Sequence, residues 1–212
     1  MNPTLQRKIV GSTALSGAFG DRMVSLATTR TLWSAQLMAE LDAFDQNAKE
    51  LTAGLTEEQL NWRSAAGAWS IGQCLEHLWL ANEIYLPAIS AALVDQPASA
   101  VPEITLGWFA RWFIRSYIEP SPITRRGSSP RKIVPASHVH LSVIDRFLRT
   151  NEDARGLIHE AEPLNVNRIR FVNPFVPGIR FTIGAGLKIT CGHERRHLLQ
   201  ADRVKQSLGF PC

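Results

Sequence analysis

The feature that most constrains the fold is a helical spacing of apolar residues, which recurs in four separate segments of the chain. This spacing places apolar side chains on one helix face over residues 32–51, from residue 70 past residue 85, and over residues 137–160 and 182–208. Irregular connections of about 15 residues or more separate the segments. No segment of the sequence shows the sustained alternation of apolar and polar residues that is typical of a strand. The pattern predicts an all-α fold, a four-helix bundle with long crossover connections.

Local signals mark several helix boundaries. Ser70 and Gln73 have the spacing of a capping box, in which each side chain accepts a hydrogen bond from the other residue's backbone N–H. The second helix is therefore expected to begin there. Pro87 falls inside it and is expected to kink it or to end its first part, because proline lacks a backbone N–H. Gly209 and Pro211 are expected to stop the last helix.

The length and composition are those of one ordinary globular domain. The 212 residues are 45% hydrophobic and 20% charged, and no apolar run approaches the roughly 18 residues needed to span a bilayer. We divide the chain into an irregular N-terminal extension (residues 1–24) and a bundle domain (residues 25–212). The net charge of +4 is too small to predict nucleic-acid binding. Three cysteines without a CxxC pair, and an N-terminus without a secretory apolar core, indicate the cytoplasm.

Two histidines in the last helical segment have the spacing of metal ligands. His193 and His197 lie in CGHERRHLLQAD, where a separation of four residues turns a helix by about 400° and places the rings about 6 Å apart. With Glu194 they match the HExxH pattern of metalloproteases. Such enzymes take a third ligand downstream, but the sequence has no His, Asp or Glu beyond Asp202. A metalloprotease of this kind would therefore need a different third metal ligand.

A third histidine lies on the apolar face of the second helical segment. His77, in SIGQCLEHLWLANEIY, shares that face with Cys74, Leu78 and Tyr85. A core-facing imidazole needs partners for its ring nitrogens, and a metal ion provides one. The alternative is an ordinary core histidine whose hydrogen bonds are satisfied by the protein. Three inward histidines on two bundle helices favour the metal.

The two histidine segments also resemble a known family. WSIGQCLEHL and HERRHLLQA are similar, in order and in separation, to the motifs of the DinB-like (YfiT-like) superfamily of the DinB_2 type, over roughly residues 30–208. The resemblance implies a four-helix bundle that binds zinc, nickel or another divalent ion through His77, His193 and His197. It also implies that residues 25–212 form the DinB-like domain, and that a homodimer is an option. The long N-terminal extension and the basic, proline-rich loop depart from the family pattern.

Three imidazoles leave coordination positions open, so several functions remain. A bound ion would activate water for hydrolysis or hold a thiolate, and the resemblance implies a low-molecular-weight thiol as a possible co-substrate, since relatives include thiol S-transferases. We therefore expect a metal-dependent thiol S-transferase or hydrolase acting on a small molecule. The alternative is a non-catalytic bundle that binds a partner and keeps a structural or vestigial metal site.

Other residues beside these motifs are expected to have supporting roles. Glu76 and Glu194 each adjoin a ligand histidine and point about 100° away from it, so we expect them behind the ligands or on the surface. Cys74 is one turn before His77 and is either a fourth ligand or, as we favour, a small buried residue. Cys191 is expected to point away from the metal. The other histidines are expected to be solvated or at helix ends: His138, His140 and His159.

An aromatic segment and a basic loop lie between the second and third long helices. TLGWFARWFIRSYI contains Trp108 and Trp112 on one side, and the loop after it contains Arg125 and Arg126. The segment is an interfacial membrane helix, a nucleic-acid surface or, as we favour, a helix packed over the open end of the bundle. In that position Arg125, Arg126, Trp108 and Trp112 would line the entrance to the metal and favour an anionic substrate.

Overall fold

The structure is a computed structural model that describes residues 32–120 and 129–211. Over these residues it is mainly helical, as the apolar spacing predicts. In chain order the helices are α1 (Leu32–Thr52), α2 (Glu57–Asn61), α3 (Ile71–Ser90), α4 (Trp108–Phe113), α5 (Val143–Ala161) and α6 (Ile183–Lys205). A π-helical turn, Ile114–Ile118, continues α4, and a 3₁₀ turn, Arg131–Ile133, precedes α5. None of these helices is long and apolar enough to cross a membrane.

The four long helices form the bundle. Helix α3 packs against both α5 and α6, and so does α1, so the order around the bundle is α1, α6, α3, α5. Apolar residues from all four helices meet in one core, as the fully buried Leu37, Leu75, Phe147 and Ala201 illustrate. The predicted four-helix bundle is confirmed. Because α3 lies beside α6, side chains from these two helices can meet in the interior.

A short antiparallel hairpin, β1 (Arg170–Val172) and β2 (Arg180–Thr182), was not predicted. Each strand has three residues, too few for an alternating pattern to be recognised. Phe171 and Phe181 face each other across the pair and are both buried. The hairpin ends where α6 begins, and the Thr182 hydroxyl caps α6 by accepting a hydrogen bond from the backbone N–H of Ala185. The hairpin therefore fixes the start of α6.

The predicted capping box at the start of α3 is present. The Ser70 hydroxyl accepts from the Gln73 N–H, and the Ser70 N–H donates to Gln73 Oε1, both at 3.2 Å. Both residues are buried, so the first turn of α3 is fixed inside the protein. Pro87 does not end the helix, which continues to Ser90. His77 therefore lies on an uninterrupted helix with a fixed start.

Helix α5 begins at Val143 rather than at the predicted residue 137. The cause is a side chain outside that segment. The Asn61 amide donates to the Val139 carbonyl at 2.8 Å and accepts from the Val139 N–H at 2.7 Å. Asn61 thus supplies hydrogen-bond partners to both backbone groups of Val139, which lies outside the helix. The first turn of the predicted helix is instead attached to α2.

Candidate metal centre

The three histidines singled out in the sequence come together between α3 and α6. The ring nitrogens that His77, His193 and His197 offer all lie within 4.8 Å of one another. His77 Nε2 is 3.1 Å from His193 Nε2, and the ring centroids of the three pairs are 4.6–4.9 Å apart. The four-residue spacing places His193 and His197 on one side of α6, and the contact between α3 and α6 places His77 opposite them. The cluster has an arrangement that could hold a metal ion.

Hydrogen bonds fix the orientation of two of the rings. His77 Nδ1 is 2.7 Å from the Ile133 carbonyl, and His197 Nδ1 is 3.0 Å from Gln200 Oε1. These oxygens can only accept, so each Nδ1 has the proton and each neutral ring keeps a lone pair on Nε2. Metal-binding histidines are usually held by the same kind of contact, an N–H donated to an oxygen behind the ring. The Nε2 atoms are therefore available as ligands.

Burial keeps the three imidazoles neutral. His77 and His197 are 3% and 7% exposed, and His193 is partly buried. Burial, reinforced by the positive charge of Arg196, lowers the pKa of all three rings, that of His197 to about 3. In His193 and His197 the neighbouring imidazoles lower it further. Since protons compete with a metal for the same nitrogen, low pKa values favour the ligand form at neutral pH.

Trp69 covers the cluster and was not singled out from the sequence. Its ring centroid is 4.7 Å from that of His77 and 5.6 Å from that of His197. It directly precedes Ser70, so the capping box that starts α3 also fixes the Trp69 backbone. The Trp-Ser pair belongs to the motif that resembles the DinB-like family, and that pair was the available signal. Trp69 therefore packs against one side of the cluster.

The residues behind His77 hold an irregular chain segment in place. Glu76 Oε2 accepts from the Ala136 N–H at 2.6 Å, and Gln73 Nε2 donates to the Ala136 carbonyl at 2.7 Å. This segment includes Ile133, whose carbonyl orients His77. Glu76 therefore supports the cluster without being among its possible ligands, in the manner expected from the sequence.

Glu194 lies deep in the bundle rather than at the surface. Its carboxyl is fully buried, and Oε1 accepts from Asn82 Nδ2 at 3.1 Å. The same Asn82 amide lies 3.3 Å from the Thr150 hydroxyl on α5. Burial raises the pKa of Glu194 to about 8, so the group is largely protonated at neutral pH. As expected, Glu194 is not one of the three grouped ligands, but its complete burial was not foreseen.

A surface groove lies between α3 and α5 and does not include the three histidines. Its volume is about 510 Å³, and Asn82 and Thr150 are part of its lining. Four carboxylates also line it: Glu83, Glu152, Asp153 and Glu160. The groove therefore adjoins Asn82, which contacts Glu194, and not the candidate ligands.

Two cysteines, Cys74 and Cys191, and the remaining histidines lie apart from the cluster. Cys74 and Cys191 are buried thiols outside the group of possible ligands, and burial raises the pKa of both. His138 and His140 are exposed and lie within ion-pair distance of Glu57. His159 is exposed on α5 near its end. These positions agree with the supporting or solvated roles expected for them.

The predicted entrance residues are only partly described. Trp108 and Trp112 are 75% and 48% exposed, and their ring contacts are with Phe109 and Tyr117 rather than with the histidines. Arg125 and Arg126 lie outside the described residues. The π-helical turn after α4 does pack against α6, where Gly192 leaves room for it: a Cβ there would lie 3.0 Å from Ile118 Cγ2. The entrance itself stays a prediction.

Fold and site together define a four-helix bundle with a buried three-histidine cluster between two of its helices. The model of the DinB superfamily matches residues 40–201, and the chain belongs to this superfamily. A solved structure, YfiT from Bacillus subtilis, is similar to this chain with a TM-score of 0.53 and 12% sequence identity. The match covers 84% of this chain and 89% of YfiT, which is described as a probable metal-dependent hydrolase with an unusual four-helix bundle topology. A search of curated proteins finds no match.

Proposed function

We propose that His77, His193 and His197 hold a divalent metal ion and that the protein is a metal-dependent hydrolase of a small molecule. The observation behind this proposal is the convergence of three ring nitrogens, with the Nδ1 protons of His77 and His197 directed to oxygens behind the rings. The description of YfiT as a probable metal-dependent hydrolase supports the same reaction class.

The donor set fits such an ion. Neutral imidazoles are ligands for zinc, nickel, copper and iron, and three of them leave at least one position open for water or substrate. Zinc and nickel are our first candidates, as the family resemblance implies. A bound ion of this kind lowers the pKa of its water toward 7 and polarises a substrate carbonyl.

The protein's own residues would prepare the site for this chemistry. The Ile133 carbonyl and Gln200 hold the His77 and His197 rings in one tautomer, so no proton has to be displaced from Nε2. Trp69 covers two of the rings and limits access of bulk water. Neither Glu76 nor Glu194 is grouped with the possible ligands, so neither is proposed as a base.

Two alternatives use the same residues differently. A thiol S-transferase would bind a low-molecular-weight thiolate at the open position, with the thiol as co-substrate. A non-catalytic bundle would keep the histidines as a structural or vestigial site. In a metal-free core the 3.1 Å contact between His77 and His193 would simply be an imidazole–imidazole hydrogen bond. The family resemblance also implies a homodimer as an option, and the proposal includes the homodimer only as that option.

One experiment separates these functions. The protein is stripped with a chelator, reloaded with Zn²⁺ or Ni²⁺, and assayed on chromogenic esters and amides, then on 1-chloro-2,4-dinitrobenzene with and without cysteine. We expect hydrolysis without thiol, lost on chelation and in His193→Ala but kept in His159→Ala, a matched change at an exposed histidine. If product forms only when the thiol is present, the protein is a thiol S-transferase and the hydrolase proposal is wrong. Metal binding with neither activity would favour the non-catalytic alternative.

A further inference from the structure

Two consecutive arginines on α6 have opposite electrostatic surroundings. Arg195 Nη1 lies 2.7 Å from both carboxylate oxygens of Glu119, and Nη2 contacts Glu40. Burial acts to lower the pKa of Arg195, but the hydrogen bonds and negative charges of these partners outweigh it and raise the pKa. Arg195 is therefore a neutralised member of an ion-pair network.

Arg196 has no such partner among residues 32–120 and 129–211. Its one hydrogen bond there is donated by Nη1 to the Tyr117 carbonyl, and it takes part in none of the ion pairs of that region. A guanidinium has five N–H donors, so most of its donors are unused by the described protein. The side chain is partly buried, and burial lowers its pKa. An unpaired, partly desolvated cation is costly for a protein to keep.

The position of Arg196 connects it to the histidine cluster. Arg196 lies three residues after His193 on α6, a spacing at which side chains on a helix surface are neighbours. In agreement with this position, its positive charge adds to burial in lowering the pKa of all three imidazoles. Its carbonyl partner, Tyr117, belongs to the π-helical turn that approaches α6 at Gly192. π-Helical turns are frequent at functional sites. The guanidinium is thus held on the part of α6 next to His193 by a neutral contact with the Tyr117 carbonyl, which leaves its charge uncompensated by the described residues.

We propose that Arg196 binds an oxyanion, either a carboxylate or a sulfate- or phosphate-like group of the substrate, at the three-histidine centre. This inference depends on the proposed metal function. A fixed cation next to a dication is repulsive, and an anion placed between them relieves the repulsion. The planar guanidinium fork matches two oxygens of such a group, which a lysine ammonium cannot do. Arg196 would therefore select anionic substrates and orient them toward the open coordination position.

The test measures anion binding rather than activity. Tag-free protein is loaded with Co²⁺, and sulfate and acetate are titrated separately while the visible absorption of the cobalt centre is followed. We expect both to perturb the wild-type spectrum, and Arg196→Met to weaken the affinity for the tighter probe at least tenfold. Arg195→Met, the same change of charge one residue away, should leave that affinity within about twofold. The probe that binds more tightly identifies the carboxylate or the sulfate-like class.

A second readout covers the case in which Arg196→Met folds poorly. Arg196→Lys keeps the charge but loses the fork, so it should weaken oxyanion binding by a smaller factor than Arg196→Met. In buffer without oxyanions, Arg196→Met should bind Co²⁺ several-fold more tightly than wild type, because a repulsive charge is gone.

The outcomes distinguish this inference from the function it depends on. If wild type binds Co²⁺ but neither anion perturbs it, or if Arg196→Met and Arg196→Lys keep wild-type oxyanion affinity, the role of Arg196 is wrong and the metal site stands. If wild type does not bind Co²⁺, the proposed function fails and this inference fails with it.

Discussion

Helix α6 contributes to two buried polar clusters that differ in how their hydrogen bonds are completed. The histidine cluster consists of His77, His193 and His197. The glutamate cluster consists of Glu194, Asn82 and Thr150. One helix supplies both, because His193 and Glu194 are consecutive and therefore point in directions about 100° apart.

The difference between the clusters supports the proposal that the histidine cluster binds a metal ion. In the glutamate cluster the protein supplies a partner, since Asn82 donates to Glu194, and the raised pKa keeps a proton on the carboxyl. In the histidine cluster the Nδ1 atoms of His77 and His197 have partners, but the Nε2 lone pairs are directed into the space between the rings. A bound cation would complete the histidine cluster. In the glutamate cluster Asn82 meets Oε1, but Oε2 of Glu194 is buried without a hydrogen-bond partner among the described residues, so a retained proton avoids a buried negative charge there.

The largest expected effect is the loss of metal affinity when one ligand is removed from the histidine cluster. His77→Ala removes one of three ligands, and we expect the metal affinity to fall roughly a thousandfold or more, beyond the 10–100-fold typical of losing a partner behind a ligand. Competition titration against a coloured chelator measures this loss. Glu194→Gln, which changes only the other cluster, is the control and should stay within about threefold. Equal affinities in His77→Ala and wild type would contradict the assignment of His77.

The next effect concerns pH and the glutamate cluster. Burial raises the pKa of Glu194 from 4.5 to about 8, so its contribution to stability is complete below pH 4.5, declines as pH rises, and is lost above pH 8. The shift corresponds to at most about 5 kcal/mol. The quantity to compare is the free energy of unfolding of the metal-free wild-type protein minus that of metal-free Glu194→Gln. We expect this difference to decrease as the pH is raised from 5 to 8.5.

Chemical denaturation at several pH values measures this difference. The Gln variant keeps the shape of the side chain but has no titrating proton, so the ionisation of every other group cancels in the subtraction. The groups that also act on Glu194 are Asp45, which raises its pKa, and Asn151 and Arg155, which lower it. A difference that stays constant over this pH range would show that Glu194 is ionised in the folded protein.

A smaller effect tests the support behind one ligand. Gln200→Ala removes the oxygen that accepts the Nδ1 proton of His197, so the ring loses its preferred tautomer and orientation. We expect about tenfold weaker metal binding, or roughly 1.4 kcal/mol. Gln206→Ala, at the C-terminal end of α6, is a matched change away from the cluster and should have no effect. Identical metal affinities in Gln200→Ala and wild type would contradict the proposal that Gln200 supports the His197 ring.

The smallest expected effect is on the buried thiols. Cys74 and Cys191 are buried, and burial raises both pKa values, so neither forms a thiolate at neutral pH in the folded protein. In a Cys212→Ser background, a thiol reagent such as DTNB should react with fewer than about a tenth of the thiols until denaturant is added. Rapid reaction of Cys74 in the native state would show that its thiol is accessible and would make Cys74 a candidate fourth metal ligand again.

The sequence predicts the helices and two of the candidate ligands from local information. The spacing of His193 and His197 and the capping box at Ser70 and Gln73 involve residues within one turn of each other, so helix geometry alone determines their contacts. The position of His77 opposite them was predicted from the family resemblance rather than from spacing, because it depends on how α3 packs against α6.

Long-range contacts explain what the sequence did not predict. Glu194 is buried because Asn82, on another helix, supplies its hydrogen bond. The late start of α5 depends on Asn61, which no helix signal near residue 137 reveals. The partner of His77 is a main-chain carbonyl, at Ile133, and any residue type has one. The contrast between Arg195 and Arg196 likewise depends on carboxylates of other segments.

The most direct test of the central claim is the metal content of the protein purified without a His-tag, measured by mass spectrometry. We expect close to one equivalent of a divalent transition metal in wild type and less than about a tenth in His193→Ala, with Glu194→Gln retaining the wild-type content. Less than a tenth of an equivalent in wild type after incubation with Zn²⁺ or Ni²⁺ and gel filtration, or an unchanged content in His193→Ala, would contradict the claim that the three histidines hold a metal.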